Sequence, residues 1–160
     1  MPWVRRSYNV TADPRHVTIG GSSYGGLGSA YAAFRHPETF GNVLSQSGSY
    51  WWTPPADPSQ PANPNADAEP TYVAQLFVNS PCLPVRFSMD AGTMELDRTG
   101  NGRGILVTNR HLRDVLRAKG YEVFYQEFHG AHDYASWRGT IADGLILLRG
   151  KSAGSSKPVH

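Results

Sequence analysis

The stretch His16-Val17-Thr18-Ile19-Gly20-Gly21-Ser22-Ser23-Tyr24-Gly25-Gly26-Leu27 decides how this chain is read. Residues 16–20 are short and β-prone. A helical pattern begins a few residues later. Leu27, Ala30, Tyr31 and Phe34 fall at i, i+3, i+4 and i+7, on one face, and Pro37 closes the run. Between strand and helix lies Gly21-Ser22-Ser23-Tyr24-Gly25, a G-x-S-x-G pattern on a sharp turn. A Cβ at either glycine is expected to clash as the turn folds back. The turn lifts Ser23 Oγ clear of the sheet. The backbone N–H of Tyr24 is then expected to serve an oxyanion, helped by the positive end of the helix behind it.

Working outward, strand and helix patterns keep alternating. Residues 41–46 carry Val43 and Leu44 and read as a strand, ending in Ser47-Gly48-Ser49 and the aromatic run Tyr50-Trp51-Trp52. Residues 53–70 are rich in Pro, Ala, Asn and Asp and read as an irregular surface loop. Tyr72, Val73, Leu76 and Phe77 have helical spacing. Residues 84–89 read as a buried strand and 92–104 as a Gly-punctuated loop. Ile105, Leu112, Val115 and Leu116 mark a helix closed by Gly120. Residues 122–128 read as a strand, 129–134 as a loop, and Trp137, Ile141, Leu145 and Leu148 mark a last helix. Short strands alternating with helices imply an α/β fold, a parallel sheet of about four strands with helices on both faces.

The 160 residues suffice for one domain with a core. A net charge of +2 with scattered Lys and Arg points away from nucleic acid. No run of about 18 apolar residues suggests a membrane span. The start lacks the regions of a signal peptide, and the one cysteine, Cys82, fits a reducing cytoplasm. Cys82 is expected to be a small buried residue. No metal-ligand spacing occurs, so neither a metal nor another cofactor is expected.

A serine nucleophile needs a base and an acid. Of six histidines, His129 and His132 lie in the loop after the last strand, and Gly130-Ala131 gives a tight turn ahead of His132, which is preferred over His129. The acid belongs on the loop after the preceding strand. Asp90 sits too close to the strand itself. Glu95 is the first choice and Asp97 the second, which keeps the chain order serine, acid, histidine.

These residues bring a family into view. The run Gly21–Leu27, the phrase Leu44-Ser45-Gln46-Ser47-Gly48-Ser49-Tyr50-Trp51-Trp52, and Gly130-Ala131-His132-Asp133 followed by Trp137-Arg138 resemble the ferric enterobactin (enterochelin) esterases. These belong to the esterase D-like group of α/β-hydrolases. Ala91-Gly92-Thr93-Met94-Glu95 is similar to the family's Ala-Gly-x-x-Glu segment and favours Glu95. The resemblance runs from about Trp3 to Leu148. It implies a cytoplasmic serine carboxylic-ester hydrolase that opens the ester bonds of a catecholate trilactone siderophore for iron release. In that reading Ser23 attacks the carbonyl, His132 takes the proton, and Trp51, Trp52 and Trp137 stack on catechol rings. The resemblance covers the family's carboxyl-terminal part. Residues 1–150 are therefore expected to be the carboxyl-terminal half of an α/β-hydrolase domain, a partial α/β-hydrolase fold, with 151–160 a disordered tail. The strands before Ser23 and the first oxyanion donor are expected to be missing, which implies self-association or an amino-terminal partner half. A feruloyl, acetyl or thioester substrate on the same machinery, or an inactive remnant acting as a binding module, are the alternatives.

Overall fold

The computed structural model describes residues 2–55, 71–95 and 104–150. After a short helix α1 (Pro2–Ser7) and a 3-10 turn at Pro14–His16, the order is β1 (Thr18–Ser22), α2 (Tyr24–Arg35), β2 (Asn42–Gln46), α3 (Tyr72–Val78), β3 (Arg86–Gly92), α4 (Ile105–Ala118), β4 (Val123–Phe128) and α5 (Tyr134–Arg149). The strands form one parallel sheet in the order β1-β2-β3-β4. The expected strand at 16–20 begins two residues later, because Asp13 caps the 3-10 turn through the Arg15 N–H and keeps His16 out of the sheet. Most of the expected 53–70 loop, part of the 92–104 loop and the 151–160 tail lie outside the described residues.

The topology follows from handedness. Parallel crossovers are right-handed, and successive strands are added in one direction, so the three crossover helices share one face. On that face α2 packs on β1 and β2, α4 packs on β3 and β4, and α3 packs against α2 and α4. Helix α5, which follows the last strand, covers the other face over β2, β3 and β4. Period-two alternation then sorts the side chains. Val43, Phe87 and Met89 join the core beneath α2–α4, whereas Gly144 of α5 lies over Leu44 and Ser88. Phe77 of α3 anchors the larger core, with its ring centroid 5.2 Å from Phe34, 5.6 Å from Phe87 and 5.5 Å from Tyr121.

One expectation is refined and one needs correction: the helical face of Leu27, Ala30, Tyr31 and Phe34 does meet the core, through Ala30 within it and Leu27 and Phe34 packed against it. The residues of α2 that are fully covered are Gly26, Ser29, Ala30 and Ala33. A helix lying close on a sheet presents its small residues to it. The bulkier Tyr31 and Phe34 turn sideways to meet Tyr72 and Phe77 of α3. Cys82 is exposed rather than buried. It sits between Pro81 and Pro84 in the loop from α3 to β3, outside the core.

Candidate active site

All the residues expected to carry chemistry, Asp97 aside, sit at the carboxyl ends of the strands or in the segments just beyond. In an open parallel α/β sheet this is where sites form. Ser23 follows β1 with φ 59° and ψ −121° and is the N-cap of α2. The left-handed backbone is held from both sides by the end of β2. Ser23 N–H donates to the Gln46 carbonyl at 2.9 Å, and Ser49 N–H donates to the Ser23 carbonyl at 3.0 Å. The glycine argument holds for one of the two motif positions. A Cβ on Gly21 would stand 2.8 Å from the Gly25 carbonyl carbon, whereas a Cβ on Gly25 would meet nothing within 4 Å. It is the Gly25 main chain that Gly21 approaches, and the approach needs no glycine at position 25.

Ser23 Oγ lies 2.9 Å from His132 Nε2, and His132 Nδ1 lies 3.3 Å from Glu95 Oε1. The structure thus brings Ser23, His132 and Glu95 into one hydrogen-bonded sequence. Asp97 lies outside the described residues. His129 is turned elsewhere, with Nδ1 3.3 Å from Thr93 Oγ1. The loops carrying Glu95 and His132 are stitched together by main-chain bonds from Thr93 N–H to the Phe128 carbonyl (2.9 Å) and from Met94 N–H to the Gly130 carbonyl (3.1 Å). That closeness requires Gly92, since a Cβ there would overlap the Gly130 carbonyl oxygen. Directly after His132, Asp133 caps α5 by accepting from the Ser136 N–H at 2.8 Å. That N–H holds the Asp133 carboxyl below its usual range and fixes the turn from which the histidine projects.

The Glu95 carboxylate is almost wholly covered, while the His132 side chain is 37% exposed. The carboxylate is gripped from behind. Ser47 Oγ donates to Glu95 Oε1 at 2.7 Å and accepts from the Trp137 indole N–H at 3.0 Å. The Trp137 ring also meets the His132 ring edge-on at 4.8 Å. Ser47 has φ 48°; it and Ser23 are the only non-glycine residues among those described with a positive φ. Non-glycine residues in that region cost free energy and cluster where geometry is put to use. Ser49 Oγ lies 3.1 Å from Ser23 Oγ. The intervening Gly48 carbonyl accepts from the fully buried Asn109 at 2.7 Å.

The three tryptophans separate. Trp51 is 36% exposed and meets the Tyr24 ring edge-on at 5.7 Å, beside Ser23. Trp52 borders a cavity of about 270 Å³ with Leu27, Tyr31, Pro54 and Tyr72. Trp137 is only 8% exposed and is spent on Ser47 and His132, so it braces the histidine and is not a face open to a substrate ring. Tyr24, at the first position of α2, has a backbone N–H with no intrahelical acceptor, as every helix start does.

Asp90 lies in β3, opposite Gln46 and facing the α5 side. Burial pushes its carboxyl up to about 6, partly offset by hydrogen bonds from Thr140, Ser47 and Gln46. Sequence reasoning passed over Ser47, Ser49, Asn109 and Gln46. The first, second and last stand in the phrase at 44–52. The available signal was a pair of serines around a glycine at the end of a fully buried strand.

Fold and site together define a class: an α/β-hydrolase with serine, histidine and carboxylate in hydrogen-bonded order. The family model described as "Putative esterase" matches residues 1–148, and the chain belongs to that family. It is 31% identical over 154 residues to the iron(III) enterobactin esterase of Dickeya dadantii (strain 3937), covering 92% of this chain and 33% of that protein. It is 34% identical over 142 residues to the iron(III) salmochelin esterase of Escherichia coli O6:H1 (strain CFT073), covering 87% of this chain and 32% of that protein. The crystal structure of the Shigella flexneri enterochelin esterase superposes with a TM-score of 0.67 at 30% identity, over 92% of this chain and 34% of that one. The chain therefore spans about a third of the length of the curated relatives it matches. No helix among the described residues is long and apolar enough to cross a membrane.

Proposed function

We propose that Ser23, His132 and Glu95 carry out serine-type ester hydrolysis on a catecholate siderophore of the enterobactin class. The observation that carries the reading is the bond sequence Ser23 Oγ–His132 Nε2–Glu95 Oε1, at 2.9 and 3.3 Å. Glu95 accepts the Nδ1–H of His132 and so fixes the tautomer that leaves Nε2 free to accept. Ser23 Oγ attacks the ester carbonyl as its proton passes to His132 Nε2. The Tyr24 N–H, at the positive end of α2, receives the oxyanion. His132 gives the proton to the alcohol as the ester C–O bond breaks. It then takes a proton from a water whose oxygen bonds to the acyl carbon, and returns that proton to Ser23 Oγ as the acyl–Oγ bond breaks and the acid leaves.

Support for the substrate class comes from relatives of 31% and 34% identity that are named for enterobactin and salmochelin. The half-exposed Trp51 beside Tyr24 offers an aromatic surface next to Ser23. In our reading, residues 1–150 are the carboxyl-terminal half of the catalytic domain and the enzyme acts in the cytoplasm. Strand β1 is paired on one side only among the described residues. Like β4 at the other edge, it presents a row of unpaired N–H and C=O groups on which another strand can pair. We assign the β1 edge to a further strand of the hydrolase sheet, in the same region as the first oxyanion donor.

The test compares turnover of a 2,3-dihydroxybenzoylserine trilactone with that of 4-nitrophenyl acetate, for the wild type and Ser23→Ala. Faster hydrolysis of the trilactone, lost in the variant, is the expected result. Equal rates on both esters would replace the siderophore reading with that of a general acyl esterase. No difference between wild type and Ser23→Ala would overturn the nucleophile.

A further inference from the structure

We infer that Ser49 is a second hydroxyl of the reaction centre, a hydrogen-bond donor to the nucleophile; the inference rests on the reading of Ser23 and His132 given above. Proton accounting sets the direction of the bond. With His132 Nδ1–H directed at Glu95, Nε2 has no hydrogen and can only accept. Ser23 has one hydroxyl hydrogen, and it goes to Nε2 at 2.9 Å. The 3.1 Å contact between Ser23 Oγ and Ser49 Oγ is then donated by Ser49. Ser49 is 1% exposed, so bulk water does not compete for this bond.

The donor is held in place by the backbone. Ser49 N–H donates to the Ser23 carbonyl at 3.0 Å, its own carbonyl accepts from Trp52 N–H at 3.0 Å, and Asn109 holds the preceding Gly48 carbonyl at 2.7 Å. The hydroxyl is thus set before any substrate arrives. As the Ser23 proton moves to His132 Nε2 and the Oγ–carbonyl carbon bond forms, negative charge builds on Oγ, and the Ser49 O–H steadies it without giving up its own proton. In the second half of the cycle the bond from acyl carbon to Ser23 Oγ breaks. Oγ leaves with the same donor in place and regains its proton from His132. Ser49 therefore assists both attack and departure, while the Tyr24 N–H acts on the carbonyl oxygen.

The test is the rate at which a fluorophosphonate probe labels Ser23, where the P–F bond breaks, the Oγ–P bond forms and the proton again goes to His132. The whole chain is used as wild type, Ser49→Ala and Ser49→Thr, with thermal midpoints measured in parallel. Loss of a donor to developing charge is expected to slow labelling of Ser49→Ala by about tenfold to a hundredfold, with Ser49→Thr recovering most of the rate. Labelling of Ser49→Ala within twofold of wild type would overturn the inference. So would equal slowing in both variants alongside a lowered midpoint, which would make Ser49 a packing residue. A wild type that the probe does not label at Ser23 would instead remove the nucleophile assignment, and this inference with it.

Discussion

Replacing Ser47 by Ala tests the grip on Glu95 directly. Ala keeps the Cβ, so the cost of a side chain at φ 48° stays and the change isolates the hydroxyl. Two bonds are lost: the 2.7 Å donation to Glu95 Oε1 and the 3.0 Å acceptance from Trp137 Nε1. A hydrogen bond to a charged group contributes about 1.5–3 kcal/mol, and a buried N–H left without an acceptor costs about 1–3 kcal/mol. Ser47→Ala should therefore cost roughly 2.5–6 kcal/mol, a shift of about 1–3 M in the urea midpoint for a chain of this size. In a Trp137→Phe background the indole N–H is already gone, so only the first loss remains. A urea double-mutant cycle over wild type, both single variants and the double variant should show a coupling of about 1–3 kcal/mol. Additivity within about 0.5 kcal/mol would refute the claim that Ser47 joins Trp137 to Glu95.

Three further predictions follow from the site. His132→Ala should abolish fluorophosphonate labelling of Ser23 while His129→Ala leaves it within a few-fold of wild type, read by mass spectrometry of the labelled peptide; the reverse pattern would exchange the two histidines. Gly92→Ala should separate the loops that carry Glu95 and His132, with a loss of about 1–3 kcal/mol in thermal or urea unfolding from overpacking and slower labelling. Asp90, raised to about 6 by burial, binds its proton more tightly folded than unfolded, so it weakens the fold as pH rises from about 4 to 6 and fully above that. Asp90→Asn should therefore stabilise the protein at pH 8 by up to about 3 kcal/mol and have little effect at pH 4; a variant less stable at pH 8 than wild type would contradict this.

Much of this architecture is legible along the chain because it is local. Periodicity places all four strands and the four helices α2–α5. The G-x-S-x-G pattern and the loop positions put the three residues found in contact among the candidates, with Glu95 preferred to Asp97 partly for its likeness to the family's Ala-Gly-x-x-Glu segment. What escapes is what depends on register and backbone sign. Ser47 and Trp137 are 90 positions apart and meet because α5 crosses back over β2. A positive φ at Ser47 leaves no mark in composition. Trp137 reads as a stacking surface because an aromatic beside a site looks the same whether its ring faces substrate or histidine. Asp90 is discounted as acid for its nearness to the strand; its position in β3, buried on the α5 side, agrees with that reason and reveals a cost the sequence does not display.

The backbone of Ser23 also filters which side chains this position can hold. At φ 59° and ψ −121° a branched Cβ collides with the main chain. Threonine, which brings the same hydroxyl, is thereby shut out on shape alone. Serine and cysteine, unbranched, both fit. The backbone therefore sets no barrier to sulfur in place of oxygen, although the 2.9 and 3.1 Å contacts of Ser23 Oγ would have to lengthen for the larger atom, whereas a change to threonine, chemically the smaller step, demands a new turn.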